Sequence, residues 1–252
     1  MILAVVLSAI VLLGWGFIAN TWFPTANPPA TKVEKGRSVP VAQPQADPAA
    51  DSPAAIRDRR VVLSESPRIR IDTPRLSGSI NLKGARVDDL VLTTQREGIE
   101  ANSPPVRLFS PAGTRDSYFG SFGWSGQNVR IPDGNTVWQA SGARLTPTTP
   151  VALRWDNGQG QVFQIELRID DGYLIEARQG VANRSAGAVA VRPYAFVSRL
   201  GQSHDTDSWT THVGPMGVFD GAADYDNNYS DIAEEGTRRF SSRGGWIGFT
   251  DK

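Results

Sequence analysis

The chain has 252 residues, 40% of them hydrophobic, with 26 Lys+Arg against 26 Asp+Glu and no cysteine. That length holds one large domain or two small ones, and the balanced charge offers no field to steer the protein toward nucleic acid, so nucleic-acid binding is not expected. Without cysteine, a disulfide framework and a thiolate metal site are both excluded, and the fold must rest on its hydrophobic core.

The first element is an apolar run. From Ile2 to Ala19 the chain carries no charge and Ser8 is its one hydroxyl side chain, close to the length that crosses a bilayer as a helix. Trp15, Phe17, Trp22 and Phe23 crowd its C-terminal end, where amphipathic rings settle at the headgroup level, and Pro24 stops the helix. Residues 1–23 therefore read as a transmembrane anchor in the lipid bilayer. A cleaved signal peptide is the competing reading, disfavoured because no basic region precedes the run and no small-x-small site follows it. The flanking charges do not settle orientation. Lys32, Lys35 and Arg37 follow the span, which by a literal count keeps the remainder cytoplasmic, whereas long domains translocate largely regardless of such charges.

Residues 24–60 hold seven of the seventeen prolines, are rich in Ala, Gln and Asp, and show no apolar periodicity. They read as a disordered tether, with a reach of about 35 Å or more by random-coil scaling.

Beyond Arg60 the period becomes two. Leu76, Gly78, Ile80 and Leu82 share one face of a strand, with Arg75, Ser77, Ser79, Asn81 and Lys83 on the other. Val151, Leu153 and Trp155 alternate with polar neighbours, Asn157-Gly158 supplies a tight hairpin turn, and Phe163, Ile165, Leu167 and Ile169 answer from the next strand. After Asp171-Gly172 the alternation continues through Tyr173, Ile175 and Ala177. Another apolar stretch, Ala188 to Val197, contains Pro193, which marks an edge or a bulge. Strands about every eleven residues, with no long helical period outside the anchor, give a mainly β domain: an antiparallel sandwich or barrel.

The residues offer little chemistry. Gly123-Trp124-Ser125-Gly126 is one residue short of a nucleophile elbow, and Ser203-His204-Asp205 sets triad members side by side, where they cannot align. A sugar isomerase would need a histidine acid and a carboxylate base, for which His204 or His212 with Glu176 are the candidates. Trp124, Trp138, Trp155 and Trp209 are candidate sugar platforms, although Trp155 falls on the apolar face of its strand. Asp224, Asp226, Asn228 and Glu235 approach a calcium-loop spacing, with Tyr229 where that loop needs glycine and Asp231 where it needs an apolar residue. No catalytic, cofactor or metal residue is assigned.

Several stretches resemble the YidC insertases of alphaproteobacteria: AVVLSAIVLLGW (Ala4 to Trp15), TPRLSGSINLKGARVDDLVL (Thr73 to Leu92), VALRWDNGQGQVF (Val151 to Phe163), RPYAFVSRLG (Arg192 to Gly201), HVGPMGVFDG (His212 to Gly221) and GGWIGFTDK (Gly244 to Lys252). They fall in the same order from end to end. The resemblance implies an inner-membrane anchor, a linker and a large periplasmic domain over 61–243, with a β-super-sandwich similar to mutarotase-like proteins. In the family five further transmembrane helices follow, forming a hydrophilic groove that receives nascent membrane proteins, alone or with the Sec translocon. None of those groove residues is present here, so none is carried over. Gly244, Gly245 and Trp246 match the junction toward that core, making 244–252 the expected start of an interfacial segment. The alternative is a membrane-tethered carbohydrate-binding or aldose-epimerase-like sandwich.

Overall fold

The computed structural model describes residues 31–34, 37–40, 56–201 and 212–250. Among them no helix is long and apolar enough to cross a membrane, and the expected anchor over 1–23 lies outside them. The chain divides into two compact units, Met1–Gln43 and Pro44–Lys252. Within the first, inside the stretch expected to be a tether, Thr31–Glu34 (β1) and Arg37–Pro40 (β2) pair antiparallel, with Thr31 opposite Pro40 and Glu34 opposite Arg37.

The second unit is mainly β. It opens on a six-residue helix, Arg59–Ser64 (α1), whose start is capped by the Asp58 side chain accepting from Arg60 N and Val61 N. No residue of α1 is buried; it is held by the Arg59–Asp89 ion pair and, just before it, by Arg57 N donating to Gly113 O at 2.9 Å. The ordered domain thus takes in Ile56 to Arg60, ahead of the boundary expected at 61.

Ten strands follow α1: Arg68–Asp72 (β3), Leu76–Asn81 (β4), Arg86–Arg96 (β5), Pro105–Phe109 (β6), Tyr118–Gly126 (β7), Gln139–Ala140 (β8), Arg144–Leu145 (β9), Val151–Asp156 (β10), Gln161–Ile169 (β11) and Ile175–Asn183 (β12); Val191–Arg199 (β13) closes the series. One sheet runs β13-β7-β5-β4-β3-β9 with β6 also on β5; the other runs β12-β11-β10-β8. All pairs are antiparallel except the short β3–β9 contact, Arg70 to Arg144 and Ile71 to Leu145. Pro193, which cannot donate to a ladder, lies on β13 at the margin of its sheet, opposite Trp124.

The inward faces of both sheets meet in one core. Ile69, Ile71, Leu76, Ile80, Val87, Leu90 and Leu145 come from the larger sheet, and Val151, Leu153, Phe163, Ile165, Leu167 and Ile169 from the smaller. Period-two alternation is what lets each strand give one face to this core and the other to polar surroundings, the arrangement of a β-sandwich. Each such buried aliphatic or aromatic side chain stabilises the fold by about 1.5–3 kcal/mol.

Strand β5 breaks the alternation. Ser79 lies opposite Asp89 and Ile80 opposite Val87, so Asp88 is an extra residue on β5, a bulge. The bulge allows Val87 and Leu90, three apart, both to enter the core, while Asp88 and Asp89 engage Arg68, Ser79 and Asn81 on the opposite side of the sheet. Gly78 makes room for it: a Cβ there would stand 2.0 Å from Asp89 O.

The hairpin at Asn157-Gly158 differs from the expected two-residue turn. The strands are joined by Asn157–Gly160, with Gly158 at φ 73° and Gly160 at φ 94°. Asn157 is the buried scaffold of this loop. Its Oδ1 accepts from Gln159 N (2.8 Å) and Gln161 N (3.1 Å), and its Nδ2 donates to Arg130 O (3.0 Å) and Gln161 Oε1 (2.8 Å).

Candidate functional site

The C-terminal part of the domain carries a cluster of exposed apolar residues. Gly214–Phe219 (β14) pairs with Ala222–Asp224 (β15) on one side and Gly245–Thr250 (β16) on the other, with Tyr229–Glu235 (α2) between them in sequence. The three residues matched to a junction start the last strand. Gly245 lies opposite Phe219 and Trp246 opposite Val218. Gly245 sits at φ 151°, and a Cβ on it would be 1.8 Å from Val218 O, so no side chain fits there. Gly244 O accepts from Asp220 N (3.1 Å) and from Ser242 Oγ (2.6 Å), pinning the turn that feeds β16.

Trp246 and Ile247 are 52% and 65% exposed, and Phe240, 49% exposed, stacks flat on Phe219 with ring centroids 4.3 Å apart. Beside them lies an apolar groove of about 540 Å³, lined among others by Val197, Met216, Phe219, Ile232 and Phe249. Phe249 also meets Tyr118 of β7 edge-on at 5.9 Å, tying the small sheet to the large one. Gly244, Gly245 and Trp246 are therefore an integral part of the folded domain.

The residues considered for catalysis are not assembled into a site. Ser125 is near the end of strand β7, paired opposite Arg192 rather than on a strand-to-helix turn, and its buried Oγ has no hydrogen-bond partner among the described residues. Ser203, His204, Asp205 and Trp209 lie outside the described residues. Glu176 is on β12 in an exposed ion pair with Arg178 (2.7 Å), and the shallow groove beside it, formed with Thr146, Pro150, Arg168 and Asp170, contains no histidine. His212 stands instead before β14, with Nε2 3.1 Å from Pro215 O and its ring edge-on to Tyr225.

The tryptophans considered as sugar platforms are interior. Trp124 and Trp138 are 2% and 3% exposed and stack with centroids 6.0 Å apart, and Trp124 meets Phe163 edge-on at 5.2 Å. Trp155 is half-buried between Phe163 and the Arg130 guanidinium. In the acidic loop, Asp224 Oδ1 accepts from Asn227 Nδ2 (2.9 Å), Asn228 caps α2 through a capping box with Asp231, and Glu235 pairs with Arg238. These side chains shape a helix start, and among the described residues no group of His, Asp or Glu is arranged around a metal position.

A connected ionic network on the outer face of β3–β5 was not anticipated. Arg68 pairs with Asp88, donates to Ser79 Oγ (2.8 Å) and Ser79 O (3.3 Å), and Ser79 Oγ donates to Asp89 Oδ2 (2.7 Å). Burial pushes the Asp88 carboxyl above its ordinary range, while Arg68 and the hydrogen bonds from Arg68 and Asn81 pull the other way. The signal available in the sequence was the doublet Asp88-Asp89 interrupting the alternation between Val87 and Leu90.

The geometry is that of a β-sandwich with exposed apolar and charged surface. Residues 68–252 match the family model described as YidC periplasmic domain. The chain is 42% identical over 254 residues to the membrane protein insertase YidC of Zymomonas mobilis subsp. mobilis, covering all of this chain and 43% of that protein. It is 37% identical over 275 residues to the membrane protein insertase YidC of Bradyrhizobium diazoefficiens (44% of that protein) and 39% identical over 270 residues to that of Nitrobacter hamburgensis (42% of that protein), again over its whole length. The chain thus spans less than half the length of the relatives it matches. On these matches, the chain belongs to the YidC family and contains its periplasmic domain.

Proposed function

We propose that the chain is the anchor and periplasmic interaction domain of a membrane protein insertase of the bacterial inner membrane. In this reading residues 1–23 cross the bilayer once, the stretch from 24 up to the start of the folded domain at Ile56 tethers it, and the sandwich that follows is a mutarotase-like β-super-sandwich facing the periplasm. Gly244, Gly245 and Trp246 form the hand-over toward the insertase core. Nascent membrane proteins, and the Sec translocon reached through the parent protein, are the partners. The module itself is non-enzymatic.

The observation that carries this reading is similarity along the entire chain to proteins named as membrane protein insertases. A physical argument separates this module from the inserting step. Moving a polar tail across lipid needs a wet, polar path, because each unsatisfied backbone group in hydrocarbon costs several kcal/mol. The apolar run from Ile2 to Ala19 carries no ionisable side chain and offers no such path. Residues 1–252 expressed in insertase-depleted cells, with membrane localisation verified, should leave growth and substrate insertion unrestored. Restored insertion would place the activity in this module and overturn the assignment.

A further inference from the structure

A cleft of about 630 Å³ opens between the start of α1, strand β6 and the turn after it, in the size range of small-ligand sites. Its charges are unevenly matched. Arg59 and Arg107 share one carboxylate: Asp89 accepts the Arg59 hydrogen bond, and Arg107 stands 3.8 Å from the same oxygen. The Nε–H of Arg59 is buried with no acceptor. Among the described residues the Arg107 side chain makes no hydrogen bond, and the side chain of Arg115, which also lines the cleft, has neither a hydrogen bond nor an ion pair.

Desolvation, and after it the neighbouring Arg59 cation, pull the Arg107 guanidinium below its ordinary pKa, while Asp89 and Glu97 act against the shift. Three carboxylates also line the cleft. Asp58 is committed to capping α1, Asp116 has a partner of its own, and Glu97 attracts Arg107 without closing an ion pair.

We propose that this cleft binds a phosphate-bearing ligand, held by the guanidinium groups of Arg107 and Arg115. Guanidinium groups match anionic phosphate oxygens as paired donors, and a phosphate group, whether a mono- or a diester, presents at least two such oxygens to these two guanidiniums. The same chemistry is presented by free phosphate esters and by phospholipid headgroups. Glu97 opposes the anion and sets the affinity from the other side.

The test is calorimetric titration of the full chain, in neutral detergent at low ionic strength, with inorganic phosphate and separately with dihexanoyl-phosphatidylglycerol. Saturable binding is expected, weakened about tenfold or more in an Arg107→Ala/Arg115→Ala double variant and tightened in Glu97→Gln. Glu97→Gln removes only an exposed charge, so it reads the site even if the double variant folds poorly. Tighter binding of the lipid than of phosphate identifies a headgroup site, and the reverse a soluble phosphate ester. No saturable binding of either ligand overturns the proposal, as does affinity unchanged by both sets of substitutions.

Discussion

Arg68 on β3 reaches across β4 to pair with Asp88, the extra residue of the β5 bulge, so the irregularity that keeps Val87 and Leu90 in the core also supplies a nearly buried anion on the opposite face. The Arg68 side chain is 12% exposed and that of Asp88 2%. Removing one member strands the other. Asp88→Ala is expected to destabilise the domain by about 3 kcal/mol in urea unfolding, because Arg68 loses its counter-ion in a site poor in water. A loss under about 1 kcal/mol would show that solvent already screens the pair.

The same pair predicts a pH dependence of definite sign. Burial holds the Asp88 carboxyl above its ordinary value of 3.8, so the native state keeps this proton to higher pH than the unfolded chain. Stability from this group is fully present below that value and is lost as pH rises through the raised one. Asp88→Asn cannot titrate, so its stability relative to wild type should improve between about pH 4 and neutrality. A constant gap across that range, by urea midpoints at each pH, would contradict the shift.

Two glycines separate the stability of the sandwich from that of the small sheet. Gly78→Ala drives a Cβ into Asp89 O beside the bulge, and Gly245→Ala drives one into Val218 O. The first should lower global stability by about 3 kcal/mol, a large overpacking effect. The second should act locally, raising amide exchange in Gly214–Phe219 and Gly245–Thr250 while leaving Val151–Ile169 protected. Equal loss of protection in both regions would show a single cooperative unit.

The ordered domain starts before the boundary legible in the sequence, and this too can be measured. A fragment beginning at Ile56 keeps Arg57 N on Gly113 O and the Arg59–Asp89 pair, whereas one beginning at Ser66 loses both. The longer fragment should be more stable by about 1–2 kcal/mol, with β-dominated far-ultraviolet circular dichroism for both. Equal stability would show that α1 and its contacts contribute nothing to the fold.

Strand positions were readable because a half-buried strand advertises itself by alternation. Leu153, Trp155, Phe163, Ile165 and Leu167 pair across β10–β11 as their spacing implies, and Pro193 falls on an edge strand for want of its N–H. Non-local choices were not readable. Asn157-Gly158 carries the signature of a two-residue turn, yet Asn157 is 1% exposed because its amide bridges Arg130 and Gln161. The Arg68–Asp88 pair joins residues twenty apart, and α1 has too little apolar periodicity to be seen. The candidate catalytic residues were legible singly, but only the fold shows Glu176 paired with Arg178 and Trp124 stacked in the core on Trp138. The apolar Trp246–Phe249 stretch was visible, and its pairing with β14 was not.

The most direct test of the account is a chimera in which residues 1–252 replace the matching portion of the Zymomonas mobilis membrane protein insertase, expressed in insertase-depleted cells beside residues 1–252 alone. If this chain is the anchor and periplasmic domain of such a protein, the chimera should restore growth and substrate insertion while the isolated module should not. A chimera that reaches the membrane intact yet restores nothing would contradict that role, and rescue by the isolated module would contradict the placement of the inserting step outside it.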